Sequence, residues 1–338
     1  MKILVTGGTG YIGSHTAVEL QNSGHEVVIV DNLSNSDQSV LDGIEKITGI
    51  RPEFEEFDLS NQAKTADFFK RHNDIEGIIH FAAYKAVGES VEKPLMYYRN
   101  NIFSLVNILQ GMKDNEIVNF VFSSSCTVYG QPEQLPVTEN ALVQKAESPY
   151  GNTKQISEEI IADTVKSAKI KGIALRYFNP IGAHESAIIG ELPIGVPNNL
   201  MPFITQTAIG KREFLRVFGD DYNTPDGTAI RDYIHVVDLA KAHVIAVERM
   251  VNDKMKKDFE VFNLGTGNGY SVLEVIKSFE HSTGQKLNYQ IVGRRPGDVE
   301  KVWADTQFAN EELGWKAEKG IDEMTLSAWE WEKALNID

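Results

Sequence analysis

The sequence predicts an α/β protein, a doubly wound parallel sheet accompanied by a second, smaller α/β domain. Three observations predict it. Short apolar runs alternate with longer helical segments through the first half, a glycine-rich turn joins the first run to the first helical segment, and this regularity stops after Phe178. Lys2–Thr6, Glu26–Asp31, Glu53–Phe57, Gly77–Ala82, Asn119–Ser124 and Gly172–Phe178 read as strands. They are rich in Val, Ile and Phe without strict polar alternation, as expected of strands buried on both faces of a parallel sheet. Between them, Tyr11–Ser23, Gln62–Arg71, Tyr98–Lys113 and Tyr150–Ser167 carry helical spacing and few breakers, which implies right-handed crossovers.

Residues 179–200 hold Asn179, Pro180, Gly182, Gly190, Pro193, Gly195 and Pro197 and show no clear period. Helical runs follow at Met201–Gly210, Val237–Met250, Val272–Thr283 and Ile321–Ala334. The domain change is placed near residue 180, giving domains at 1–180 and 181–338. Whether a later segment returns to the first sheet is left open by the sequence.

A chain of 338 residues is long for one core, which suits two domains of unequal size. Apolar residues at 42% and charged residues at 24% are ordinary globular values, so disorder is not expected. The formal net charge of −15 repels phosphodiester backbones and argues against nucleic acid as the main partner. A few arginines in a cleft can still override that field for a small phosphorylated ligand. Cys126 is the only cysteine, so no intrachain disulfide forms and a cytoplasmic, reducing compartment fits. No run of about 18 apolar residues occurs, and no membrane span or signal segment is expected.

The turn Val5-Thr6-Gly7-Gly8-Thr9-Gly10-Tyr11-Ile12-Gly13 follows the first strand and opens the first helix. Gly7, Gly10 and Gly13 stand where a side chain would block a tight turn, the approach of a pyrophosphate to backbone N–H groups, or helix-on-sheet packing. Asp31 ends the second strand, about 20 residues further on, where a carboxylate accepts both ribose hydroxyls and repels a 2′-phosphate. This frame predicts a Rossmann-type site for NAD rather than NADP. Read alone, Asp31 is equally a strand-end turn residue.

Tyr150 and Lys154 are one helical turn apart in Ser148-Pro149-Tyr150-Gly151-Asn152-Thr153-Lys154. A tyrosine with its ordinary pKa of about 10 is a poor base at neutral pH. A lysine ammonium and a cationic nicotinamide ring beside it are expected to favour the phenolate. Phe122-Ser123-Ser124-Ser125 ends a strand, where open α/β sheets place their ligands. A serine there can relay a proton, and Ser123 and Ser124 can equally satisfy a turn.

The glycine turn, the strand-end Ser125 and the Tyr150–Lys154 pair resemble the extended short-chain dehydrogenases/reductases. Further strings resemble the UDP-glucose 4-epimerases among them: Asn32-Leu33-Ser34-Asn35-Ser36, His80-Phe81-Ala82-Ala83, Ala86-Val87-Gly88-Glu89-Ser90, Ser123 through Gly130, Arg176-Tyr177-Phe178-Asn179-Pro180, Asn198-Asn199-Leu200-Met201-Pro202, Asp226-Gly227-Thr228 and Arg231-Asp232-Tyr233-Ile234-His235. The resemblance runs nearly end to end. It implies that Ser125, Tyr150 and Lys154 carry catalysis. It also implies a tightly held NAD lined by Tyr11, Ile12, Asp31, Asn32, Asn35, Ser36, Asp58, Leu59, Phe81, Ala82, Lys85, Asn100 and Phe178 in addition to the glycines, Tyr150 and Lys154. A UDP-hexose would meet Asn179, Asn199, Leu200, Val217, Phe218, Arg231, Arg295 and Asp298, with Ser125 at the sugar. Arginines suit a dianionic diphosphate because guanidinium matches phosphate geometry. Arg294-Arg295-Pro296-Gly297-Asp298 reads as a clamp on that basis. In the epimerases it resembles, the position of Val302 borders the pocket at the sugar C2 substituent. Tyrosine there restricts the enzyme to glucose and galactose, and a small residue admits the N-acetyl sugars.

The implied reaction oxidises C4 to a ketone, turns the sugar and returns the hydride to the other face. No metal is required, and His80 and His235 read as structural. A nucleotide-sugar 4,6-dehydratase is the neighbouring alternative, but it needs an acidic pair where Ser125, Cys126 and Thr127 stand. An inactive nucleotide-binding scaffold or sensor is the alternative of another class, and such proteins usually lose the tyrosine or the lysine. The resemblance also implies a homodimer formed through the Tyr98–Lys113 and Tyr150–Ser167 helices.

Overall fold

A computed structural model describes residues 1–295 and 298–336; Pro296 and Gly297 of the arginine loop lie outside the described residues. The chain runs β1 (Lys2–Thr6), α1 (Tyr11–Asn22), β2 (Glu26–Asp31), α2 (Val40–Thr48), β3 (Glu53–Glu56), α3 (Gln62–Arg71), β4 (Gly77–His80), α4 (Val87–Glu92), α5 (Pro94–Asp114), β5 (Asn119–Ser123), α6 (Pro149–Ser167) and β6 (Lys171–Tyr177). It continues through β7 (Asn179–Ile181), α7 (Leu200–Ala208), β8 (Leu215–Phe218), β9 (Ile230–His235), α8 (Val236–Val251) and β10 (Phe259–Leu264). Last come β11 (Gly269–Ser271), α9 (Val272–Thr283), β12 (Tyr289–Val292), β13 (Lys301–Val302) and α10 (Ile321–Ala334).

Among the described residues, seven strands pair in parallel in the order β10-β6-β5-β4-β1-β2-β3. The expected Rossmann-type sheet is therefore present. Its strands lack polar alternation because both faces are covered. Ile3 and Val5 of β1 pack among Ala17 and Val18 of α1 and Leu239 and Ala242 of α8. Leu4, between them, points the other way into Phe68 and Phe69 of α3 and Leu105 and Ile108 of α5. Burying each such side chain stabilises the fold by roughly 1.5–3 kcal/mol.

α5 starts at Pro94, earlier than the Tyr98 start expected from spacing, because proline is well suited to a first helical turn, where its missing N–H goes unmissed. The helix α2 escapes a pattern reading because it is short and carries Gly43 on its buried face, against Ile189.

The smaller α/β part is built on β9, which pairs with β7 and β13 in parallel and with β11 antiparallel. β8 and β12 form a separate parallel pair. Ile204 of α7, Val275 and Phe279 of α9, and Met324 and Trp329 of α10 enclose its core with Val217 and Tyr233. Between β9 and β11 the chain passes back over the first sheet: α8 packs on α1, and β10 pairs with β6. The fully buried Asp232 holds the smaller part at this crossing, accepting from Thr266 N and Oγ1 at 2.8 Å and from Gly267 N and Ala304 N at 3.1 Å.

A buried polar network lies under the end of β5. Glu158 of α6 accepts from Arg176 Nη2 at 2.5 Å and Nε at 3.0 Å, and from Ser124 Oγ at 2.5 Å. Arg176 Nη1 donates to Tyr129 Oη at 2.9 Å, and Tyr129 donates onward to Asn263 Oδ1 at 2.6 Å. Removing one partner strands a buried charge, so Glu158→Ala is expected to lower the unfolding free energy by roughly 3–5 kcal/mol. Replacing both partners by apolar residues of similar size is expected to cost clearly less. Urea denaturation of the single and double variants measures the difference, and equal losses would show that the charge pair is not what the fold depends on.

Candidate active site

The site lies along the carboxyl ends of the parallel strands, with the glycine turn at the point where the strand order reverses between β1 and β4. Gly7 has φ +69°, and a Cβ on it would stand 2.8 Å from Ala82 N. A Cβ on Gly13 would stand 2.3 Å from Gly7 O, so the first turn of α1 lies directly on the loop. Gly10 is the N-cap of α1 and offers no side chain to the first helical N–H groups, which remain free for an anion. This backbone cradle fits a dinucleotide pyrophosphate.

At the end of β2, Asp31 Oδ1 accepts from Leu33 N at 3.0 Å and Ser36 Oγ at 3.4 Å, while Oδ2 accepts from Thr9 N at 3.3 Å. Thr9 Oγ1 and Ser36 Oγ share a hydrogen bond of 2.7 Å. The carboxylate thus both anchors its loop and faces the glycine turn; the two readings of Asp31 are compatible. Thr9, lying between glycines, was not singled out by the sequence pattern. Asn32 caps its own turn through Ser34 N at 3.1 Å, and Asn35 is exposed.

Other expected cofactor residues occupy neighbouring strand ends. Ile12 packs on the core under the turn, and the Tyr11 hydroxyl crosses to donate to Gly182 O at 2.6 Å. Asp58 is exposed and accepts from Ser60 N at 2.8 Å. Leu59 is buried, its carbonyl taken by Asn107 Nδ2 at 2.8 Å. Phe81 stacks obliquely on His243, and Ala82 N reaches Thr6 Oγ1 at 3.3 Å. Asn100 Nδ2 donates to Asn101 Oδ1, and Asn101 ties α5 to Tyr84 and to Thr153 of α6. Phe178 is buried among Val128, Tyr129 and Val302. His80 and His235 bond Thr6 Oγ1 and Ser327 Oγ, respectively, and His235 also caps α8 through Val237 N.

Ser148 caps α6 by accepting from Gly151 N at 3.1 Å, and Pro149 takes the first helical position. This start fixes the phase of the helix, so Tyr150 and Lys154 both face the end of β5. Ser125, Tyr150 and Lys154 are only 6%, 8% and 4% exposed. The Ser125 side chain stands near the Tyr150 hydroxyl and favours its ionised form, and Lys154 Nζ lies 5.9 Å from the Tyr150 ring centroid. Lys154 donates to Ser123 O at 2.7 Å, and Ser123 Oγ shares a 2.9 Å bond with the Tyr177 hydroxyl.

Burial pushes the Tyr150 hydroxyl well above the ordinary tyrosine value, with the Ser125 side chain acting against that rise. Lysine and tyrosine share a helix face, but the ammonium is turned toward the Ser123 carbonyl and the Phe122 ring rather than the phenol oxygen. Burial also lowers Lys154 to about 8, with Glu158 working against it.

The smaller α/β part closes the other side. Arg231 Nη2 and Arg295 Nη2 donate to the same Asp298 oxygen at 3.0 and 2.9 Å. The Arg295 guanidinium lies 5.8 Å from the Phe218 ring centroid. Asp298 therefore holds two cations together, which the sequence could not distinguish from a ribose contact. Asn179 starts β7 in register with Tyr233, and Asn199 caps the backbone entry to α7 just before Leu200. Val217 is wholly buried in the smaller core, in register with Ile291 of β12. Val302 pairs with Arg231 in register and is 7% exposed, packed beside Phe178 and Tyr129. Cys126 is no acid for elimination, since burial pushes its thiol up to about 12.

The family described as GDP-mannose 4,6 dehydratase matches residues 4–327. UDP-glucose 4-epimerase of Haemophilus influenzae is 50% identical over 334 residues, covering 98% of both chains. The crystal structure of UDP-glucose-4-epimerase from Stenotrophomonas maltophila, with bound NAD and formylated UDP-arabinopyranose, superposes with a TM-score of 0.95 at 47% identity, covering 99% of this chain and 98% of that one. The Bifidobacterium longum UDP-glucose 4-epimerase in complex with NAD+ and UDP gives 0.94 at 46% identity, with 99% and 98% covered. With likeness of this extent over nearly the whole chain, the chain belongs to the UDP-glucose 4-epimerase family of extended short-chain dehydrogenases/reductases.

Proposed function

We propose that this protein interconverts UDP-glucose and UDP-galactose with a tightly held NAD. The observation that carries the reading is the buried Ser125–Tyr150 hydroxyl pair with Lys154 beside it, set between the glycine cradle and the Arg231–Arg295 clamp. Gly7, Gly10, Gly13, Asp31 and Lys85 hold the cofactor, and Asn179, Asn199, Arg231 and Arg295 hold the uridine diphosphate. When bound, NAD supplies the hydride acceptor and donor for C4 and, oxidised, a positive charge that favours phenolate at Tyr150. Tyr150 takes the proton of the 4-hydroxyl, directly or through Ser125, as C4 becomes a ketone. The diphosphate stays clamped while the ketose turns about it. Tyr150 then returns the proton as C4 is reduced on its other face. Redox balance is zero over the cycle, so the cofactor must remain in place.

Among the described residues no helix is long and apolar enough to cross a membrane. A cytoplasmic homodimer completes the proposal, supported by Leu95, Phe103 and Val106, which α5 leaves exposed.

Tyr150→Phe is expected to keep its fold and its bound NAD while turnover falls by about two to four orders of magnitude. NAD released on denaturing gel-filtered protein, with none added, checks retention. Near-normal turnover in the variant removes Tyr150 as the base.

Lys154 works as an ammonium, and its buried value of about 8 sets an alkaline limb. As pH rises through that value the charge is lost, so kcat/KM is expected to fall above it. Arginine stays charged over this range, and Lys154→Arg, though slower, is expected to show no such limb. A pH–rate series on both proteins decides it.

Val302 stands beside Phe178 with a side chain much smaller than tyrosine, which supports turnover of the N-acetylated UDP-hexoses too. Native protein is expected to convert UDP-N-acetylglucosamine, and Val302→Tyr to lose this while still converting UDP-galactose. Product analysis on both substrates tests it; a native protein that converts only UDP-galactose refutes this specificity.

A further inference from the structure

Glu191 is a buried acid that the mechanism above does not use. It lies in the breaker-rich stretch after β7, with its side chain 12% exposed. Asn199 Nδ2 donates to Glu191 Oε1 at 2.5 Å, and Lys85 Nζ sits 3.7 Å from the same oxygen. Two residues assigned to different ligands, Lys85 to the cofactor and Asn199 to the uridine diphosphate, thus converge on one atom. The backbone at this point is fixed from behind. Trp331 Nε1 donates to Glu191 O at 3.0 Å, and a Cβ on Gly190 would stand 2.4 Å from the Trp331 ring. From the cofactor side, Tyr11 reaches across to Gly182 O at 2.6 Å, so the glycine turn abuts the same segment. Burial raises the Glu191 carboxyl, and Lys85 and Asn199 oppose that rise, as expected where a carboxylate is kept for its partners.

We propose that Glu191 is a positioning residue that ties Lys85 to Asn199, so that NAD and the uridine diphosphate are held interdependently rather than by two separate sites. The inference rests on the ligand assignments of the proposed function. Its chemical logic is that Glu191 Oε1 is an acceptor shared by Asn199 and Lys85, so the position of each side chain bears on the other. A ligand that fixes Asn199 then presents Glu191, and through it Lys85, in one arrangement, and the same linkage acts in reverse. A ketose that turns between oxidation and reduction is protected if the cofactor is gripped most firmly while the diphosphate is present.

The test measures NAD release from the holoprotein with and without saturating UDP, together with UDP affinity. In native protein UDP is expected to slow NAD release by about tenfold, within the usual range of coupling between sites. In Glu191→Gln, which keeps shape and the Asn199 contact but loses the charge, the factor is expected to fall to near one. Lys85→Met, at a largely solvent-facing lysine, is expected to abolish the factor as well, and the double variant to lose nothing further. Should Glu191→Gln fail to fold, Lys85→Met carries the test alone. A loop staple without this role would weaken both ligands singly and leave the factor unchanged, and that result overturns the inference. So does native protein that holds NAD and binds UDP with no effect of one on the other. Native protein that contains no NAD, or takes up no UDP, removes the epimerase reading and this inference with it.

Discussion

In a parallel sheet covered by helices on both faces, the side chains along each strand are consumed by packing, and only the carboxyl ends of the strands are left open to a ligand. The cofactor side of the site follows from that constraint. The glycine turn leaves β1, Asp31 ends β2, Phe81 and Ala82 follow β4, the three serines run off β5, and Phe178 follows β6. The strand order reverses between β1 and β4, so the crossover chains diverge there and leave the opening that the glycine cradle lines.

The reacting groups are fixed by α6 against β5. Its cap and its proline set where the helix begins, and the helical repeat then brings Tyr150 and Lys154 to the serine end of the strand. Under that contact, Arg176 and Glu158 form a buried charge pair that reaches Ser124 on one side and Tyr129 on the other. Tyr150 and Lys154 are buried, and burial acts on them in opposite senses. It holds the Tyr150 hydroxyl above, and Lys154 below, its ordinary value, so in the proposed reaction a phenolate would rely on positive charge supplied with the cofactor.

In the proposed function the smaller part contributes binding rather than chemistry. It is attached through α8 and β10, which belong to the layers of the first sheet, and through Asp232 at the crossing. Its arginines are held by Asp298 in a formally acidic protein, a local concentration of cation where the global charge of −15 opposes a diphosphate. Held together in advance, the two guanidinium groups lose less freedom when a ligand arrives.

The sequence by itself determined the sheet class, the glycine turn, the carboxylate at the end of β2 and the Tyr150–Lys154 spacing. Each depends on neighbours within about 20 residues, where strand and helix periods are readable. The direction in which a side chain finally points depends on elements far apart in the chain, and only the tertiary structure decided that. It turned Lys154 toward the Ser123 carbonyl, buried the Val217 side chain, joined Arg231 to Arg295 through Asp298, and set Glu191 between Lys85 and Asn199. The segment that holds Glu191 has no period and no regular hydrogen bonding to announce it. Its carboxylate acquires a role only because packing against Trp331 brings it, out of water, to two cleft residues from opposite sides.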